Sequence, residues 1–270
     1  MYKIFIFTIL IIIILLIILK LYKKNIYESF LISNNSEELD IREMKIYVIN
    51  MKTSTDRKNH MKKILNNNNL NYEFIEAVNG KELDTNYVNS ITKDKLRDLS
   101  RGEVGCFLSH KKVYKKFLDS GEDYCLILED DIQICKNFVN EINKCLSQLN
   151  IFDIFYCFNS PRYQFYNIIG KDVKDYFPEK WDKNLPLLLD KDYSKDCVLG
   201  LGHRINTNAM IISKNTARQL LNNMSTIKTA IDVQIHFKDV KKGLKIFSSK
   251  KDLVFEATND NNIMFKSTIR

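Results

Sequence analysis

The chain has 270 residues, 45% of them hydrophobic and 27% charged, which excludes a disordered chain and fits one large domain or two small ones. Its net charge of +8 comes from lysines spread in short clusters with no zinc-finger, RRM-like or homeodomain pattern, so no nucleic-acid partner is expected. With only 8 glycines and no G-x-G-x-x-G or G-x-x-x-x-G-K-[ST], the chain lacks the usual glycine-cradled phosphate sites.

Residues 4–19 are apolar apart from Thr8, and Leu21 and Tyr22 extend the run past Lys20. About 19 residues rising 1.5 Å each span roughly 28 Å, close to the hydrocarbon thickness of a bilayer. No small-residue cleavage site follows, so 1–22 is expected to be an uncleaved signal anchor of a single-pass membrane protein. Lys3 on one flank and Lys20, Lys23 and Lys24 on the other leave the orientation open; in a eukaryotic secretory pathway the domain beyond would be luminal. Residues 23–44 are polar and weakly patterned, a stem or linker. Two sequons begin at Asn34 and Asn223, relevant only to a luminal chain.

From Lys45 strands alternate with helical stretches. Lys45–Asn50 reads as a strand, and Asp56–Leu65 as a helix stopped by Asn66–Asn69. Tyr72–Ala77 is a second strand running into a turn at Asn79-Gly80. Ser100-x-x-Glu103 opens a helix to about Leu118, stopped by Gly121. Tyr124–Leu128 is an unbroken apolar run, as in a strand covered on both faces. Further strands are expected at Ile154–Phe158, Ala209–Ser213, Leu244–Phe247 and Leu253–Ala257, which makes the domain α/β with a largely parallel central sheet. The six cysteines have no metal-ligand spacing and read as buried thiols rather than a disulfide framework.

Glu129-Asp130-Asp131 follows the buried run directly, and open α/β sheets bind ligands at the carboxyl ends of their strands. Packed carboxylates repel one another unless a cation intervenes, and hard oxygen ligands suit Mg²⁺ or Mn²⁺, which could also neutralise a diphosphate. The alternative is an acidic first turn of a following helix.

Four pieces in order carry a family resemblance: Ile46-Tyr-Val-Ile-Asn-Met-x5-Arg57, Glu76-Ala-Val-Asn-Gly80, Gly102-Glu-Val-Gly-Cys-Phe-Leu-Ser-His110 and Leu126-Ile-Leu-Glu-Asp-Asp131. With Ala209-Met-Ile-Ile-Ser-Lys and Ile231-Asp232 further on, residues 45–235 resemble glycosyltransferase family 25, the lipooligosaccharide and procollagen galactosyltransferase group. The resemblance implies a GT-A-like nucleotide-sugar-binding fold over 45–258, a tail at 259–270, a UDP-sugar donor, Mn²⁺ or Mg²⁺, and a glycan, glycolipid or protein acceptor. It makes Asp131 the main metal ligand and places Glu129 on ribose or metal-bound water, with Asp130 assisting catalysis or structural. A non-catalytic glycosyltransferase-like scaffold is the alternative.

Glu103 and His110 lie nearly two helical turns apart and could line the donor pocket with Ser109, although Glu103 also fits a capping box. Arg57 approaches the diphosphate or forms a surface ion pair. Inversion at the anomeric carbon needs a base for the acceptor hydroxyl, and Asp232 matches the family's late acidic residue; otherwise it is a helix N-cap. His236, four residues on, could complete a metal site. His203 could border the acceptor site, and His60 has no evident partner. Three prolines, Trp181 and five other aromatic residues crowd 160–187, which reads either as an acceptor-binding loop or as a satellite apolar cluster.

Overall fold

The computed structural model describes residues 39–149, 151–158, 189–190, 198–201, 206–237 and 239–257. The anchor at 1–22, the first sequon, His203, the aromatic stretch around Trp181 and the tail at 259–270 lie outside them. Among the described residues, no helix is long and apolar enough to cross a membrane.

The chain runs β1 (Lys45–Asn50), α1 (Thr55–Asn67), β2 (Tyr72–Glu76), a short 3₁₀ turn (Gly80–Glu82), α2 (Thr85–Ile91), α3 (Arg101–Asp119), β3 (Tyr124–Glu129), β4 (Ile132–Ile134) and α4 (Phe138–Leu146). It continues through β5 (Ile154–Tyr156), β6 (Leu189–Asp190), β7 (Val198–Leu201), β8 (Ala209–Ser213), α5 (Lys214–Asn223), α6 (Ile231–Gln234), β9 (Ile246–Ser249) and β10 (Val254–Glu256).

Eight strands form one sheet in the order β2-β1-β3-β8-β5-β9-β7-β6. Six of them point the same way; β8 and β7 are reversed and sit between neighbours of the common direction, so the ladders beside them are antiparallel. The expected largely parallel sheet is present, with six of its eight strands in one direction and antiparallel ladders only beside the two reversed strands. A strand apolar on both faces reads the same in either direction, so periodicity cannot reveal such a reversal. The strand expected at Leu253–Ala257 exists, but β10 leaves the main sheet and pairs antiparallel with β4.

Strand residues alternate between two cores, as a pleat with period two requires. Tyr47, Ile49, Cys125, Ile127, Met210 and Ile212 face α3, α5 and α6. Ile46, Val48, Leu126, Leu128, Ala209 and Ile211 face α1 and α4. In α1, Arg57, Met61 and Leu65 recur four apart and are the buried face. Asn69 takes a left-handed conformation (φ 53°) just beyond α1, as its stop signal foretold.

Leu39–Met44, expected in the linker, pack onto the domain. Ile41 and Met44 are buried in the α1/α4 core, and Ile41 N–H donates to Asn143 Oδ1 at 2.9 Å. The five cysteines among the described residues are free thiols, with Cys125, Cys145 and Cys157 buried.

Candidate active site

A cleft of about 370 Å³ opens where β1, β2 and β3 end at their carboxyl edge, walled on one side by α3. Glu129 is the last residue of β3, and Asp130 and Asp131 form a tight turn into β4. The turn is pinned on two sides: Glu129 N–H donates to the Asn208 carbonyl at 2.8 Å, and Ala257 N–H to the Asp131 carbonyl at 2.7 Å. The alternative of an acidic helix start fails, because a strand follows the triplet and α4 begins only at Phe138.

The three acids have different partners. Asp130 is buried and accepts from Asn50 Nδ2 at 2.7 Å and Arg57 Nη1 at 2.9 Å. Its carboxylate thereby ties β1, α1 and the end of β3 together. Arg57 is in a buried ion pair, not a surface one, and also reaches Asp131 Oδ2 at 3.2 Å. Glu129 accepts from Thr207 Oγ1 at 3.0 Å and lies 3.2 Å from His110 Nε2. Burial alone would raise the Glu129 carboxyl, but His110, Thr207 and the Arg57 charge hold it below its ordinary value.

Asp131 has the opposite balance. Burial and the negative charge of Glu129 push its carboxyl up to about 7, against the pull of Arg57 and with a further push from Asp130. Arg57, 3.2 Å from Asp131 Oδ2, does not by itself offset that push. The carboxylate oxygens of Asp131 and Glu129 are a donor set of the kind that suits a hard divalent cation.

The sequence candidates on α3 separate. Ser109 bridges elements: its Oγ donates to the Gly105 carbonyl at 2.7 Å and accepts from Val78 N–H at 2.8 Å. That fixes the Val78–Lys81 wall of the cleft. His110 is fully buried beside Glu129, and its Nδ1 has no hydrogen-bond partner among the described residues. Glu103 does not line the cleft. Its carboxylate accepts from Ser100 N–H at 2.8 Å while Ser100 Oγ accepts from Glu103 N–H at 3.1 Å, a complete capping box, and Arg97 pairs with the same carboxylate. Of the two readings of Glu103, the capping box is formed in the structure.

Asp232 lies in the first turn of α6, whose N-cap is Ala230, so it is not the cap residue. Its charge, with those of Glu129 and Asp131, acts on the Cys106 thiol, which burial raises far above the ordinary range. His236 turns into the core, where its Nε2 lies 3.3 Å from the Tyr156 hydroxyl. His60 has a partner after all: its Nε2 lies 2.8 Å from the Ile132 carbonyl. Asn223 of the second sequon is exposed, its amide donating to the Asp239 carbonyl at 3.0 Å.

Sequence reasoning missed Asn50, Thr207, Cys106 and the contact of Gly80 with Gly105. A Cβ on Gly80 would lie 1.6 Å from the Arg101 carbonyl oxygen, and one on Gly105 2.6 Å from that of Val78. Two glycines let α3 press against the turn that walls the cleft. In a chain so poor in glycine, their place in two of the quoted motifs was the available signal.

A family model described as glycosyltransferase family 25 (LPS biosynthesis protein) matches residues 43–235. Procollagen galactosyltransferase 2 of Homo sapiens is 29% identical over 159 residues, covering 56% of this chain and 24% of its own length. A putative glycosyltransferase of Acanthamoeba polyphaga mimivirus is 39% identical over 111 residues, covering 39% of this chain and 34% of its own. Among solved structures, the apo form of mouse xyloside xylosyltransferase 1 superposes with a TM-score of 0.39 at 10% identity, covering 75% of this chain and 70% of that one. The chain spans a quarter to a third of the length of these two curated relatives. Since the family match runs from just before β1 to just past α6 and takes in every residue that lines the cleft, this chain belongs to glycosyltransferase family 25.

Proposed function

We propose that this chain is a glycosyltransferase that moves a hexose, galactose or glucose, from a UDP-sugar to a hydroxyl of a glycan, glycolipid or hydroxylysine acceptor with help from Mn²⁺ or Mg²⁺. The observation that carries the reading is the pair Glu129 and Asp131: two carboxylates lining one cleft at the strand ends, where a donor's diphosphate would need a cation. A divalent cation at Asp131 would neutralise the donor's diphosphate, the task for which the chain has no glycine loop.

The remaining roles belong to the chain's own groups. Arg57, held by Asp130, keeps a fixed positive charge at the cleft edge where a leaving diphosphate gathers negative charge. Glu129, kept ionised by His110 and Thr207, accepts a hydrogen bond from the ribose. Ser109 and His110 shape the donor pocket. Asp232 takes the proton from the acceptor hydroxyl as it attacks the anomeric carbon. Relatives named procollagen galactosyltransferases support galactose as the first donor to try. The apolar residues 4–19 support a single membrane anchor.

One observation favours a second reading, a non-catalytic scaffold. Arg57 already supplies a cation to both Asp130 and Asp131. The test is UDP release from a panel of UDP-sugars by the full chain in detergent, with Mn²⁺, with EDTA, and with Asp131→Asn. Metal-dependent release from one sugar, lost in the variant, supports the enzyme. No turnover and no thermal shift from UDP with Mn²⁺ leaves the scaffold.

A further inference from the structure

Beneath the acid turn, a second group of possible ligands converges that the proposed transfer reaction does not need in full. The ligand atoms of Cys106, His110 and Glu129 all lie within 4.8 Å of one another. Cys106 and His110 stand four apart on α3, so their side chains leave the same helix face, and that face meets the end of β3. We infer that Cys106, His110 and Glu129 form a binding site for a thiophilic divalent cation, Zn²⁺ foremost, separate in chemistry from the hard-cation position at Asp131.

The geometry is close to what such an ion requires. Bonds of about 2.3 Å to sulfur and about 2.0–2.2 Å to nitrogen and oxygen place tetrahedral ligands roughly 3.3–3.6 Å apart. His110 Nε2 and Glu129 Oε1 are already 3.2 Å apart, and Cys106 has to close a gap of at most about 1.5 Å. A thiolate and an imidazole select Zn²⁺, Co²⁺ or Cd²⁺ over Mn²⁺ or Mg²⁺. Binding displaces the thiol proton of Cys106 to solvent and puts the ion between His110 Nε2 and Glu129, with His110 carrying its proton on Nδ1. Both Cys106 and His110 line the cleft, so the ion has an entry path and its fourth position opens to the cleft.

The site is exchangeable rather than structural. A ligating histidine is normally held by an acceptor at its other nitrogen, and losing such a partner costs about 10–100-fold in affinity. His110 Nδ1 is buried with no hydrogen-bond partner among the described residues. Bound Zn²⁺ would also draw Glu129 away from Thr207. On the proposed glycosyltransferase reading, which this consequence rests on, that makes Zn²⁺ an inhibitor against the activating cation. Binding itself is independent of that reading.

The test is a Co²⁺ titration of the reduced, metal-free full chain in detergent. The expected result is a thiolate-to-cobalt charge-transfer band with intense tetrahedral d–d bands, displaced by Zn²⁺ and unaffected by Mn²⁺. Cys106→Ser abolishes the charge-transfer band, and circular dichroism checks that the variant folds. Should it not fold, alkylation of the wild-type chain mapped by mass spectrometry replaces it. Zn²⁺ then slows modification of Cys106 by about tenfold or more, since a metal-held thiolate is no longer a free nucleophile. Absence of the band in the wild type, its persistence in Cys106→Ser, or unprotected Cys106 overturns the site. Loss of sugar transfer with the band intact would count against the enzyme and not against the site.

Discussion

Arg57 and Asp130 meet at 2.9 Å with both side chains under a tenth exposed, 73 residues apart in sequence. The pair ties α1 to the end of β3, and Asn50 at the end of β1 donates to the other oxygen of the same carboxylate. Three elements that wall the cleft therefore share one buried charge.

A buried pair of this kind is costly to break from one side, because the surviving charge is left without compensation. Arg57→Ala is expected to lose about 3–5 kcal/mol in urea unfolding. Asp130→Asn keeps one acceptor oxygen for one of the two donors and sets its NH2 against the other, so it is expected to lose about 1–3 kcal/mol. A double-mutant cycle should return a coupling energy above about 1 kcal/mol. Additive losses would mean that the two side chains do not act together.

Asp131 makes stability depend on pH. Its carboxyl is raised from an ordinary 3.8 to about 7 in the fold, so the folded chain binds more protons than the unfolded chain between those values. Stability from this group is full below about pH 4 and is lost as pH rises through about 7. Asp131→Asn removes that loss. At pH 8 without metal it should melt higher than wild type by roughly 4–8 °C, on the order of 2 kcal/mol, and the difference should vanish near pH 4. Mn²⁺ should raise the wild-type melting temperature at pH 8 and leave the variant unmoved. Equal melting at both pH values would show that Asp131 is not under strain.

Gly80 and Gly105 should be far less tolerant than Gly121. A Cβ at Gly105 meets backbone at 2.6 and 2.8 Å, neither of which can swing aside, and the same movement would pull Val78 from Ser109. Gly105→Ala is expected to cost about 3 kcal/mol or more, beyond ordinary overpacking, and to weaken UDP binding. Gly121 has φ 85° and nothing within 4 Å, so its replacement by Ala costs only the left-handed backbone, about 1–2 kcal/mol. Calorimetric melting and UDP titration on the two variants would separate a packing contact from a turn.

What the sequence disclosed follows from the range of each signal. The apolar run of β3 and the Ser100/Glu103 cap lie within a few residues of one another, so periodicity and spacing reveal them. The acid triplet at the end of β3 is legible for the same reason. Thr207 reaching Glu129 from 78 residues away, and Asn50 reaching Asp130 from 80, leave no local trace, because only tertiary folding brings them together. The reversal of β8 is hidden too, since Ala209–Ser213 is buried on both faces. Where a residue satisfies a local rule and a family motif at once, as Glu103 does, the sequence alone does not choose.

Glu103 is where that choice can be measured. Its carboxylate caps Ser100 N–H and pairs with Arg97; these contacts hold it below the ordinary carboxylate range although burial acts to raise it. A capping-box acid at the third helical position contributes stability through the N-terminal turn and nothing to ligand binding at a distance. Glu103→Ala should therefore unfold with a loss of about 1 kcal/mol, with Glu103→Gln recovering much of it because an amide oxygen can still accept from Ser100 N–H. The KM for the donor sugar should stay within about twofold of wild type in both variants, a change worth less than about 0.5 kcal/mol. A rise in KM of about tenfold with unchanged melting would instead mean that the carboxylate leaves its cap to meet the donor, and that Glu103 belongs with Ser109 and His110 in the pocket.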